Sequence, residues 1–172
     1  MKEQQQLNNL INDIEYLQHE AQFLSSVIES VPYSEKPLGG ESIIENLLSV
    51  HSAQSIIFEI IENLAEKGTE IDIHNYSIFD RVELTEQETS DQDIKNLIKE
   101  IENTRSGLVS IISDKPPAYF TLELKDQNSS VTVFEILSEM VIKERSSLKE
   151  IANLVLTYQK DRQFQREISW KK

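Results

Sequence analysis

Lys143 and Ser147 stand four residues apart in the helix-patterned stretch 131–157, VTVFEILSEMVIKERSSLKEIANLVLT, and so share one helix face. Two side chains at that spacing can hold one ion or one ligand between them. These two are poor at the first task. A protonated lysine repels a cation, and an unassisted serine hydroxyl ranks far below imidazole or thiolate as a ligand for zinc or nickel. Glu139 lies one turn before Lys143, in the favourable Glu-to-Lys order for a helical ion pair. An ammonium withdrawn from water needs such a partner, because burying it unpaired costs several kcal/mol.

The other reactive residue types form no recognisable set. None of the three histidines has a glutamate three residues before it, so the Glu-x-x-His pattern of di-iron bundles is missing. There is no H-E-x-x-H, and the only glycine pair, Gly39–Gly40, makes no phosphate loop. Zero cysteine excludes thiol catalysis, disulfides and thiolate metal sites. A Ser-His-acid triad depends on spatial neighbours, and nothing in the sequence raises one above background. His19, beside Glu15 and Glu20, reads as a surface residue. His74, near Asp72, reads as a packed or surface loop residue, and the acidic run Glu83 to Glu88 as solvated loop.

The elements that must position these residues read as helices. Leu7, Leu10, Ile11, Ile14, Leu17, Ala21, Leu24, Val27, Ile28 and Val31 make one stripe over 3–31, closed by Pro32, Pro37, Gly39 and Gly40. A second helix starts near Glu41 with the capping box Ser42/Glu45 and stops at Gly68. Its stripe is Ile43, Ile44, Leu47, Leu48, Ile57, Phe58, Ile60, Ile61 and Leu64. Residues 69–90 are polar and aperiodic, anchored by Ile71, Ile73, Tyr76, Ile78 and Phe79; a loop this long must pack over something. A third helix spans 90–113, with Ser90/Asp93 as its capping pattern and a stripe broken at Thr104 and Arg105, where it faces water or a polar pocket. Residues 118–130 read as an extended piece along the helices. The fourth helix covers 131–160, burying Val133, Phe134, Leu137, Met140, Val141, Leu148, Ile151, Leu154 and Val155, with a short extra helix after it. Four long amphipathic helices with two long connections predict an all-α four-helix bundle, one domain over 1–172.

Two segments resemble the DinB-like (YfiT-like) family of bacterial four-helix bundle proteins: GGESIIENLLSVHSAQSIIFEII at 39–61 and VTVFEILSEMVIKERSSLKEI at 131–151. Thr132, Glu135, Leu137, Glu144 and Ile151 sit where the family's fourth-helix pattern expects them. Members commonly hold a divalent metal with one histidine from helix 2 and two from helix 4. The resemblance carries these ligand positions onto Ser49, Lys143 and Ser147, an earlier helix-4 histidine onto Glu139, and the pattern's glutamine onto Glu150. It therefore implies a member that has lost its metal and keeps a vestigial pocket of Ser49, Glu139, Lys143 and Ser147, with no cofactor. His51, two residues past the ligand position, is the one weak metal candidate, because a two-residue step turns a helix by roughly 200°.

Composition bounds the partners. Hydrophobic residues make up 38% and charged residues 27%, the profile of a soluble globular chain. The net charge of −13 argues against a nucleic-acid surface. From Lys143 onward eight Lys or Arg face four Asp or Glu, a local +4 that leaves −17 on the rest. No apolar run spans a membrane and the N-terminus has no signal core, so the expectation is a cytoplasmic protein. The leading expectation is a small-molecule or protein binding module. The alternative is a metal-dependent transferase or hydrolase, with zinc or nickel on a site rebuilt from His51 and Glu139 or Glu144. A third reading is a homodimer whose helix-2 face uses Val50 and Ile56.

Overall fold

The computed structural model describes residues 2–67, 71–90 and 93–170, and most of these are helical. In chain order the elements are α1 (Lys2–Ile28), α2 (Ile43–Lys67), a 3-10 turn (Ile73–Asn75) and α3 (Glu86–Ser90). Then come α4 (Ile94–Ser113), α5 (Pro117–Phe120), β1 (Glu123–Asp126), β2 (Ser129–Thr132) and α6 (Val133–Trp170).

Side-chain caps set where the helices begin. Ser42 starts α2 as expected: Glu45 N–H donates to Ser42 Oγ at 3.2 Å, and Ser42 N–H donates back to Glu45 Oε2 at 2.8 Å. The same reciprocal box recurs at Thr85/Glu88 before α3 and at Thr132/Glu135 before α6. Glu88 is thus a capping residue as well as a solvated one. The third long helix starts later than the sequence suggests. Asp93 accepts from the N–H groups of Lys95 and Asn96 and so caps α4, whereas Ser90 ends the separate α3. The expected stop of α2 at Gly68 lies outside the described residues.

Two further boundaries differ from expectation. Within 118–130 the chain closes α5 and then forms the antiparallel β1–β2 hairpin, with Asp126 paired to Ser129 and Gln127 at φ 52° in the two-residue turn. The tail forms no separate helix, because α6 runs unbroken for 38 residues, about 57 Å. Before α2, Gly39 takes φ 71° and Gly40 N–H donates to Pro37 O at 3.1 Å, a turn that demands glycine at its third position.

Named contacts give the helix directions. Arg145 meets Asp13 at 2.5 Å and Arg162 donates to Ser30 O at 2.6 Å, so α6 runs parallel to α1. His51 faces Glu100 and Phe58 packs on Gly107, so α2 runs parallel to α4; a Cβ added at Gly107 would come within 3.0 Å of the Phe58 ring. Lys95, at the start of α4, reaches Glu29 at the end of α1, so the two pairs are opposed. Parallel neighbours in sequence cannot be joined by a tight turn. The segment between α2 and α4 must therefore travel back along the helices, which is why it is long. It is held as it goes: Ile71, Ile73 and Ile78 are buried, Tyr76 and Phe79 pack on the core, and Lys125 N–H of β1 donates to Ile71 O at 3.1 Å.

The core falls into two apolar clusters along the helices. One holds Leu7, Ile14, Ile60, Leu108 and Met140, the other Leu17, Ile28, Leu47, Ile98 and Ile151. Two sequence-assigned positions depart from expectation. Val27 is 40% exposed, on the outer face of α1 with Tyr16 and Phe23. Val50 is buried in the second cluster, so it offers nothing to a dimer face, and Ile56 is only partly exposed against the first.

Candidate functional site

Where the two apolar clusters meet, three helices contribute one polar residue each: Gln54 from α2, Arg105 from α4 and Glu144 from α6. Arg105 and Gln54 are completely buried and Glu144 nearly so. Arg105 Nη2 donates to Glu144 Oε1, and Gln54 Nε2 donates to the same oxygen at 3.0 Å. Arg105 Nε and Nη1 and Gln54 Oε1 have no hydrogen-bond partner. Burial pulls the guanidinium down to about 9, which leaves it charged at neutral pH and matched to the carboxylate. The break in the α4 stripe at Thr104–Arg105 was the only sequence signal of this centre, and it pointed at a polar environment without naming the partners.

Glu144 also lines a cleft of about 160 Å³ between α2 and α6. Ser49, Val50 and Ala53 form one wall, and Lys143, Ser146, Ser147 and Glu150 the other. The returning segment contributes the third side through Phe79, Asp80 and Arg81. Its position is fixed by hydrogen bonds to α2. Val82 N–H donates to Ser49 Oγ at 3.1 Å and Leu84 N–H to Glu45 Oε1 at 3.0 Å. Lys36 Nζ reaches the same Glu45 oxygen at 3.0 Å. Burial pushes the Glu45 carboxyl up, but the backbone N–H groups of Leu84 and Ser42, the Lys36 ammonium and the Ser42 hydroxyl outweigh it and hold it at about 2. One carboxylate thus joins the start of α2, the preceding loop and the segment along the cleft.

At the cleft mouth Glu41 Oε1, buried and without a hydrogen bond, lies 3.4 Å from Arg81 Nε. Burial raises the Glu41 carboxyl above its ordinary value; Arg81 opposes this and Glu150 adds to it. The cleft therefore mixes four carboxylates, two cations and three serines over an apolar floor.

Three of the four residues expected to share a pocket line this cleft: Ser49 and Ser147, both part-buried, and Lys143, which is exposed. Glu139 does not. It is exposed one turn further along α6, outside the cleft, and no ion pair joins it to Lys143. Lys143 keeps its ammonium in water, so it does not require the glutamate. His51 is also outside the cleft, turned toward α4, with Ser55 Oγ at 3.4 Å and Glu100 Oε2 at 3.9 Å. His19 is exposed, and His74 packs at the hairpin turn against Asp126 and Gln127. Two wider surface grooves, one at Glu59, Glu62 and Asp114 and one at Leu7, Phe120 and Phe134, contain none of these residues.

Two hydroxyls and an ammonium do not fit a resident divalent ion, since the ammonium repels it and neutral hydroxyls bind it weakly. Among the described residues no three His, Asp or Glu side chains are grouped to hold a metal ion, and no helix is long and apolar enough to cross a membrane. Comparison with protein families, with characterised proteins and with solved structures finds no match to this chain.

Proposed function

We propose that this protein is a DinB-like four-helix bundle that has lost its metal chemistry and acts as a binding module, taking a small molecule in the cleft between α2 and α6. The observation carrying this reading is the meeting of Ser49, Lys143 and Ser147, from two helices far apart in sequence, on one cleft beside the buried Glu144. The long return segment, hydrogen-bonded to α2 along the cleft, supports the same reading. Concave sites that combine an apolar floor with a few convergent polar groups are the usual form of a ligand pocket, although at about 160 Å³ this one suits a small ligand or one end of a larger one.

Native mass spectrometry of gently purified protein tests the reading, with a Ser147→Trp variant that fills the cleft. A co-purifying mass present on the parent chain and missing from the variant is expected. The same mass on both proteins, or none on either, would sink the proposal. Elemental analysis after incubation with zinc, nickel and manganese should find well below one equivalent of each. A full equivalent would instead favour a metal-dependent transferase or hydrolase.

A further inference from the structure

Glu144 brings a carboxylate into the cleft wall at 4% exposure, and both of its hydrogen bonds end on Oε1. Oε2 takes neither. The arginine that holds Oε1 comes from α4, behind the cleft, so Glu144 is aimed from the protein interior and cannot swing away to water. Glu41 offers a second carboxylate oxygen, Oε1, buried and without a hydrogen bond, with Arg81 Nε 3.4 Å away. A buried carboxylate oxygen held by an ion pair without hydrogen-bond geometry still gains from a donor that reaches it. The two cations of the cleft occupy its exposed edge, since Lys143 and Arg81 both lie largely in solvent. Glu144 and Glu41 are therefore turned inward and Lys143 outward, Arg81 bridges from the edge to Glu41, and Asp80 is exposed. Even with Arg105 counted against Glu144, the four carboxylates Glu41, Asp80, Glu144 and Glu150 outnumber the three cations. The space amounts to roughly five water molecules' share of liquid.

We propose that the cleft takes a small amino-acid-like zwitterion, its ammonium received by Glu41 and Glu144 and its carboxylate held at the rim by Lys143 and Arg81. An ammonium supplies up to three donors to interior acceptors, and a charge-assisted N–H bond to a carboxylate is roughly twice as strong as a neutral one. Ser147 on the α6 wall, with Ser49 on the α2 wall, adds a hydroxyl. The apolar floor of Val50, Ala53 and Phe79 leaves room for a short aliphatic side chain. Arg105 is a positioning residue here, acting only through Glu144. The inference rests on the reading of the cleft as a binding site.

Titration of isotope-labelled protein with alanine, ethylamine and propionate, followed by amide shifts of Ser49, Lys143 and Ser147, tests it. Alanine should shift these amides saturably, ethylamine more weakly, and propionate not at all. Glu41→Gln should weaken alanine about tenfold, the loss of one charged hydrogen bond. Lys143→Met, at an exposed position, should weaken alanine about threefold and leave ethylamine unchanged. If propionate binds as well as alanine, or if Lys143→Met weakens both amines alike, the zwitterion assignment is overturned while the cleft remains a binding site. If none of the three binds, the assignment is again overturned. The mass bound natively and lost in Ser147→Trp then decides separately whether the cleft binds anything.

Discussion

At the scale of single residues, two buried charges have opposite kinds of support. Glu45 has more partners than it can lose cheaply: two backbone N–H groups, a hydroxyl and an ammonium converge on one carboxylate. Its folded value of about 2 lies below the 4.5 of the free side chain. A depressed carboxylate contributes stability in full above 4.5 and loses it as the pH falls toward 2. Urea unfolding should show Glu45→Gln less stable than the parent by about 3 kcal/mol at pH 7, with the gap closing between pH 4.5 and 2. A gap that persists unchanged at pH 2 would mean the lost geometry, and not the charge, sets the cost. Arg105 has one carboxylate and two donors with no hydrogen bond. Removing it alone strands Glu144 in the interior, so Arg105→Ala should cost about 3–5 kcal/mol. Replacing both, as Arg105→Met with Glu144→Leu, should recover part of that loss, because an apolar pair has no desolvation cost but Gln54 Nε2 is left without its acceptor. Denaturant midpoints of the single and double variants decide it.

At the scale of elements, the segment between α2 and α4 is the component whose position the cleft depends on. Its apolar anchors are buried, but its attachment next to the cleft is two backbone N–H groups on α2 side chains. Ser49→Ala removes one of those acceptors and should cost about 1 kcal/mol. The local effect should be larger than the global one. Hydrogen exchange at Val82 is expected to speed up while the amides of α2 and α6 stay protected. Uniform loss of protection across the helices would show that the segment is integral to the core. The caps explain why element starts were partly legible. Ser42/Glu45 stood out because an apolar run follows it directly. Thr85/Glu88 opens only five residues of helix and gave no periodic signal, and Ser90 competed with the stronger Asp93 cap three residues on.

At the scale of the whole molecule, α6 outruns its neighbours. Residues 159–169 are all exposed, Phe164 and Ile168 among them, and Arg162 donates back to Ser30 O at the end of α1. Length there was misjudged from sequence because the apolar stripe fades after Val155, and a fading stripe signals only the end of packing. The helix continues on its own hydrogen bonds. Deleting residues 163–172 should change unfolding stability by no more than about 0.5 kcal/mol, since Phe164 and Ile168 are exposed. A larger drop, dependent on protein concentration, would reveal that the extension packs on a second copy.

The sequence alone determined where the four long helices lie and most of the positions they turn inward, because a 3.6-residue period and local caps are written in neighbouring residues. It determined the acidic charge and the lack of thiols for the same reason. It also indicated that Ser49, Lys143 and Ser147 belong together, though only through a family pattern. Tertiary structure decided that Arg105 is interior, that Glu144 is its partner, that Val50 is core and that Glu139 stays outside the cleft. Each of those depends on which helix lies across from which and at what height. Such choices are settled by packing between residues some 40 to 90 positions apart, as in Arg105–Glu144 and Gln54–Glu144, and no local pattern records them.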